Sequence, residues 1–268
     1  MAKQKDGVIT ICHVVNIPRQ TPLSLTHGFG KNGLKESEEF KKSIHVSHRI
    51  RFLLRLAHDL TEVILSTSDE QDINTMLVDF SFLRNNKKLF SLSTCDIVGV
   101  RARKKFDEEL SKLIVAYDKG RHSDLGLELA TSISDSSSGE IRIVRGVVED
   151  PEKELEIISR INEKMFDLNL SKIPFEKVYS DSQIIPELLK NFKKDKSAIL
   201  IIGAGNQSEN AFSPKTLQLL DKTSKSVIVV RNHRFSGIHT RSFWNIISPR
   251  LRENKYLSVS QTQPKPPA

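Results

Sequence analysis

The second half of this chain alternates short β-branched runs with amphipathic, helix-length stretches, and no other feature limits its possible folds so tightly. The series opens at Leu113-Ile-Val-Ala-Tyr-Asp118 and closes at Ser226-Val-Ile-Val-Val-Arg231. Strand and helix in strict alternation imply a parallel sheet covered by helices, because parallel neighbours need long crossover connections. Lys112 to Asp118 reads as a buried strand, and Ser123 to Ile133 as a helix with Leu125, Leu129 and Ile133 on one stripe. Glu140 to Val148 is the second strand. Pro151 marks a helix start, with Leu155, Ile158, Ile161 and Met165 on the expected buried face. Phe175 to Tyr179 is the third strand, Gln183 to Phe192 the third helix and Ala198 to Ile202 the central strand. Ser213-Pro214 caps the next helix, whose Leu217 and Leu220 face inward. The loop Gly203-Ala-Gly205-Asn206 follows a strand and precedes a helix, the place where such sheets bind ligands.

The first half repeats the series but begins late. Gly7 to Val15 matches the second strand of the other half, not its first. Lys35 to His48 reads as a polar helix, Ile50 to Leu56 as a strand, Leu60 to Gln71 as a helix and Asn74 to Phe80 as the central strand. Cys95-Asp-Ile-Val-Gly-Val-Arg101 mirrors the closing strand Ser226 to Arg231. The first unit is therefore expected to lack its opening strand and helix, with Ala2 to Asp6 as the stub. Four strands are expected there against five in the second unit. The expected division is 1–105 for the first unit, 106–233 for the complete second unit and 234–268 for a basic tail, partly disordered.

Composition narrows the class. No run among the 268 residues approaches the roughly 20 apolar residues that cross a bilayer, and Met1-Ala-Lys-Gln-Lys-Asp-Gly7 is no signal peptide. The two cysteines, Cys12 and Cys95, each sit in an apolar run and read as small buried hydrophobes of a reducing compartment. The histidines form no HxxxH or Cys/His cluster, which speaks against zinc. The net charge is +8, and residues from Arg231 onward hold seven Lys/Arg against one Asp/Glu. The basic excess thus belongs to a tail. A nucleic-acid-binding domain would spread it over a folded face with aromatics between.

The second half resembles the universal stress proteins along its length, through the strand ending in Asp118, the strand-end loop after Ile202 and the helix before Val227-Ile-Val-Val-Arg231. The two halves together resemble the tandem cytosolic region of some prokaryotic transporters of the amino acid–polyamine–organocation superfamily. The segment that carries this resemblance furthest is Val14-Val-Asn-Ile-Pro-Arg-Gln-Thr-Pro-Leu23, supported by His58-Asp59 opening a helix and Cys95-Asp96 starting a strand. Amino-acid permeases and cation–chloride cotransporters are the two branches it points to. The resemblance implies an α/β fold of two tandem Rossmann-like units with mainly parallel sheets. It also implies a place at the inner, cytoplasmic face of the membrane.

ATP-binding stress proteins carry a loop of Gly, two residues, Gly, nine residues, Gly, then Ser or Thr. The glycines let backbone amides approach the phosphates, and the next helix points its positive end at them. Here Gly203 holds the first place, Asn206 holds the second, Gly205 is displaced by one, and no glycine lies near Thr216. Asp118 matches the acidic residue that meets the nucleotide. Asp118, Gly203, Gly205, Asn206 and Ser213 are therefore the candidates for a degraded nucleotide site, with no cofactor expected and ATP the ligand if one binds. A turn at a strand end is the simpler account of Gly203 and Gly205, and Asp118 is equally a helix cap or a partner of Lys119 or Arg121. In the first half the equivalent stretch, Ser81 to Asn86, reads as a loop without glycine.

No nucleophile–base pair, cleft carboxylate pair or metal spacing stands out, so the chain is not expected to be an enzyme. The expected function is a non-catalytic cytosolic regulatory and dimerisation module of a membrane transporter. The alternative is a free-standing universal stress protein that binds ATP or AMP. Expected partners are the transmembrane domain of the parent transporter and a second copy of the chain, with Cys95 to Arg101 and Ser226 to Arg231 pairing across an internal pseudo-twofold. In the tail, Phe243, Trp244, Ile247 and Leu251 form an apolar stripe bordered by Arg241, Arg250, Arg252 and Lys255. Such a stripe suits an anionic membrane surface through Phe243, Trp244, Arg250 and Arg252, or docking on the second unit or a dimer mate.

Overall fold

The computed structural model describes residues 8–22, 27–43, 49–102, 112–117, 120–137, 139–146, 148, 150–168, 175–178, 188–189, 198–204, 212–223 and 225–233. These fall into two compact units, one ending at Glu70 and the other spanning Gln71–Arg234. The packing units are thus cut at a different point from the sequence repeat, whose boundary was placed near residue 105.

The unit ending at Glu70 is built on β1 (Ile9–Asn16), α1 (His27–Ser43), β2 (Ile50–Ala57) and α2 (Leu60–Glu70). β1 and β2 pair in parallel from Ile9↔Ile50 to Asn16↔Ala57. α1 starts eight residues ahead of the expected Lys35, and residues 44–48 of the expected helix lie outside the described residues. Gly28, Gly30 and Gly33 weaken helix propensity in its first turns, but packing overrides them. A Cβ on Gly33 would lie 2.5 Å from Val15 and 3.0 Å from Leu54, so the glycine is what lets the helix settle on the strands. α2 starts where Asp59 accepts hydrogen bonds from Thr61 N (2.8 Å) and Glu62 N (3.2 Å). Val63 and Leu65 turn inward, and Arg55 of β2 donates to Glu70 at 2.5 Å.

The second unit continues with β3 (Thr75–Asp79), α3 (Phe80–Asn85), α4 (Lys87–Leu92), β4 (Asp96–Arg101), β5 (Lys112–Tyr117), α5 (Arg121–Ser137) and β6 (Glu140–Gly146). It closes with α6 (Pro151–Asp167), β7 (Phe175–Val178), β8 (Ile199–Gly203), α7 (Pro214–Lys222) and β9 (Val227–Arg231). One seven-stranded sheet runs in the order β3-β4-β9-β8-β5-β6-β7. Every neighbouring pair is parallel except β4–β9, which is antiparallel. The central strands are buried on both faces, which is why they read as unbroken apolar runs. Leu113, Val115, Ile199, Ile201, Ile228 and Val230 make the heart of the core. α5 packs close against it at Gly126, where a Cβ would stand 3.3 Å from Ile201 and 3.4 Å from Val230.

The second half shows the full five-strand order β9-β8-β5-β6-β7. Among the described residues the first half has four strands, β1 to β4, the counterparts in chain order of β6, β7, β8 and β9. They do not form the single sheet expected for them. β5 is the strand that joins β6 to β8 by pairing with both, and the first half has no counterpart of it among the described residues. Without that joint, β1–β2 form a sheet of their own, while β3–β4 extend the sheet of the second half.

The antiparallel β4–β9 pairing is the internal pseudo-twofold expected from the mirrored closing strands. Its register centres on Gly99↔Val229. Gly99 is glycine because a Cβ there would stand 2.8 Å from Leu83. Two further expectations need correction. Ser81 to Asn86 is no loop but the body of α3 and its C-cap, since Asp79 caps a helix that starts directly on the strand. Leu155 is 67% exposed, because the buried stripe of α6 runs through Ile157 and Ile161 and Leu155 lies on the far side. The stub at Ala2 to Asp6, the basic tail and most of Gln183 to Phe192 lie outside the described residues.

Candidate functional site

In a doubly wound sheet the ligand crevice lies at the carboxyl ends of the strands, where the strand order reverses. Here that point is the end of β5 beside the end of β8. Of the sequence candidates, Gly203 and Ser213 are placed there, while Asp118, Gly205 and Asn206 lie outside the described residues. Gly203 ends β8, and Ala204 N donates to Val230 O (3.0 Å). Ser213 N donates back to Ala204 O at 2.9 Å, so the loop between them is pinched at its base. The Ser213 hydroxyl caps α7 by accepting from Thr216 N (3.1 Å), and the Thr216 hydroxyl donates to Gly203 O (3.3 Å).

The bare side of Gly203 is already covered. A Cβ there would stand 3.0 Å from the Cβ of His122, in the first turn of α5, and 3.7 Å from Ser123 N. His122 is held in place because its Nδ1 accepts from Asn232 N (2.9 Å), just past β9. Gly203 is therefore needed for the close approach of α5 to the strand end. The approach of His122 accounts for a glycine at this position, and His122 is the residue that sequence reasoning missed. The signal available for it was its position at the start of a helix beside Gly203 in a parallel fold.

Among the described residues near the crevice, Tyr117, Asp124 and Arg160 are tied to one another, and so are Arg145 and Glu154. Tyr117, the last residue of β5, donates its hydroxyl to Asp124 Oδ1 at 2.5 Å, and Arg160 donates to Asp124 Oδ2 at 2.5 Å. Burial, with the Asp124 carboxylate beside it, pushes the Tyr117 phenol far above its ordinary range. Arg145 in β6 is only 1% exposed. It makes a two-pronged pair with Glu154, one prong 2.7 Å long, and donates to Gly146 O at 3.0 Å. Glu154 also accepts from Val148 N (3.2 Å). This geometry locks α6 to the sheet and leaves these carboxylates and guanidiniums as structural ties.

The first half offers still less to a phosphate. Measured against the closing strands, Asp79 (opposite Val100) stands where Gly203 (opposite Val230) stands in the second half. Its carboxylate accepts from Ser81 N (2.8 Å) and Phe82 N (3.1 Å). The amides that would meet an anion are thus bonded to an anion already in place.

What the pseudo-twofold does build is a pair of reciprocal clamps. Arg101, ending β4, donates to the carbonyls of Leu220 (2.9 Å), Thr223 (3.0 Å) and Lys225 (3.3 Å) at the end of α7. Arg231, ending β9, donates to Ser93 O (3.3 Å) at the end of α4 and lies over the Phe90 ring at 5.3 Å. Burial lowers the pKa of Arg231 from its ordinary value. Phe212 packs against Phe80 and Phe90 with centroids 5.4 and 4.8 Å away.

No family model matches the chain, and no curated protein matches it in sequence. Solved structures do. A universal stress protein from Archaeoglobus fulgidus aligns over 85% of this chain and 88% of its own, with 13% identity and a TM-score of 0.57. A Pseudomonas aeruginosa protein classed with the universal stress proteins aligns over 84% and 93%, with 11% identity and a TM-score of 0.54. A functionally unknown protein from Pseudomonas aeruginosa covers 87% and 85%, with 12% identity and a TM-score of 0.52. The chain has the universal stress protein fold. At these identities the likeness speaks for the fold and leaves the function to the residues.

Proposed function

We propose that the chain is a non-catalytic regulatory and assembly module with a universal stress protein fold, serving a membrane transporter from its cytoplasmic face. The observation that carries the non-catalytic, non-nucleotide part is the contact of Gly203 with His122, which puts a helix where a phosphate loop needs an open glycine face. The transporter part rests on the resemblance of Val14 to Leu23, His58-Asp59 and Cys95-Asp96 to the cytosolic region of amino-acid permeases and cation–chloride cotransporters. In this reading the module self-associates as a homodimer and meets the transmembrane domain of its transporter. The segment holding Phe243, Trp244, Arg250 and Arg252 touches the membrane surface.

The reading frame upstream of the Met1 codon tests the proposal. A run of hydrophobic helices encoded in frame supports it, and a stop codon with a promoter there contradicts it. One observation favours a second reading, a free-standing stress protein that binds ATP or AMP. The loop base formed by Gly203, Ala204, Ser213 and Thr216 is tied by hydrogen bonds at the carboxyl end of the sheet, where such folds bind ligands.

A further inference from the structure

The seven-stranded sheet ends on β3, and among the described residues no strand pairs with its outer edge. In a parallel ladder successive residues turn their N–H and C=O groups to opposite sides. Asp96 N donates to Asn74 O (3.0 Å), so Met76 and Val78 face β4, while Thr75 and Leu77 offer their backbone outward. Leu77 is 73% exposed in the middle of this edge. The second half shows what belongs at that position. Leu77 lies opposite Val98, three residues before Arg101, and Ile201 lies opposite Ile228, three residues before Arg231. Ile201 is 0% exposed. It pairs with Val115 of β5 and lies under Gly126 of α5.

We propose that the outer edge of β3 is a docking site for a partner polypeptide that adds one parallel apolar β-strand and lays its following helix over Leu77. Strand addition continues the sheet through the β4–β3 pairing already in place, and main-chain bonds to Thr75 and Leu77 would hold it. The chemistry of the occupant follows from the strand and helix that fill the same place in the other half. The strand is a β-branched run like Leu113-Ile-Val-Ala116, and the helix carries a glycine or alanine at its crossing, as α5 carries Gly126. A second copy offering its own β3 would bring behind it only the six-residue α3, not a long crossing helix like α5. The edge has these properties whether or not the chain serves a transporter.

The test uses the full chain and a synthetic peptide copying Lys112–Ser137, with hydrogen exchange read at single amides. Saturable slowing at Thr75 and Leu77 is expected, lost by about tenfold or more in peptide affinity in L77K. Leu77 is exposed, so that substitution leaves the fold intact. Three results would each overturn the proposal. One is no slowing at about 1 mM peptide. Another is slowing that persists unchanged in L77K. The third is protection without peptide that grows with chain concentration, which would assign the edge to a second copy.

Discussion

At Gly203 one absent methyl group lets α5 approach the end of β8. The residue type was legible, since a glycine after a central strand is a common ligand signature. Its reason was not, because the neighbour that needs the space, His122, is far away in sequence and is brought there only by the parallel crossover. Gly203→Ala should therefore cost about 1–3 kcal/mol through overpacking against His122, measured by urea unfolding, and leave nucleotide affinity where it was. Tyr117 makes a second residue-scale prediction. Its folded state holds the phenol protonated on Asp124, so its pKa is raised above the unfolded value. A raised pKa of this kind contributes stability in full below the unfolded pKa of about 10, and that contribution is lost as pH climbs toward the folded pKa. Of the three tyrosines in the chain, one should resist ionisation in a spectrophotometric titration of the folded protein. Tyr117→Phe should remove that delayed step and the corresponding loss of stability above about pH 10. Titration of all three at the ordinary pH would contradict the assignment.

Elements were easier to read than the contacts between them. The strands of the second half announce themselves as β-branched runs because both their faces are buried, and helix starts at Ser213-Pro214 and Pro151 carry their own capping chemistry. α1 was misplaced because its early glycines argue against helix, while the packing of Gly33 on Val15 and Leu54 cannot be seen in one dimension. Leu155 was misplaced by a fraction of a turn, for the same lack of a partner to fix the helix phase. The reciprocal arginines were hidden differently. Both closing strands end in Val-Arg, a visible symmetry, but only the antiparallel β4–β9 pairing sends each guanidinium to the other half's helix end. Arg101→Met should destabilise the fold by about 1–3 kcal/mol, because it leaves the α7 carbonyls without their donor. Arg231→Met removes one such bond and should cost less. Unfolding midpoints in guanidinium chloride of the two variants would show this order, and equal midpoints with wild type would contradict it.

For the whole molecule, the described residues of the first half hold no counterpart of β5. β5 is the joint between β6 and β8, and the half that has no counterpart of it is divided between two sheets. The repeat offset at Gly7 was legible, but not the division between sheets, because the position that β5 holds is central in space and first in sequence. The proposed self-association is checked by light scattering at tens of micromolar, where a particle of twice 30.4 kDa is expected and a monomer alone would count against the dimer. Above all, the proposed function has neither half holding a phosphate, a reading that rests on His122 against Gly203 in the second and Asp79 at the helix start in the first. Calorimetric titration of the full chain with ATP tests that claim most directly. The account predicts no saturable heat up to about 1 mM nucleotide, and a dissociation constant near 1 μM would contradict it.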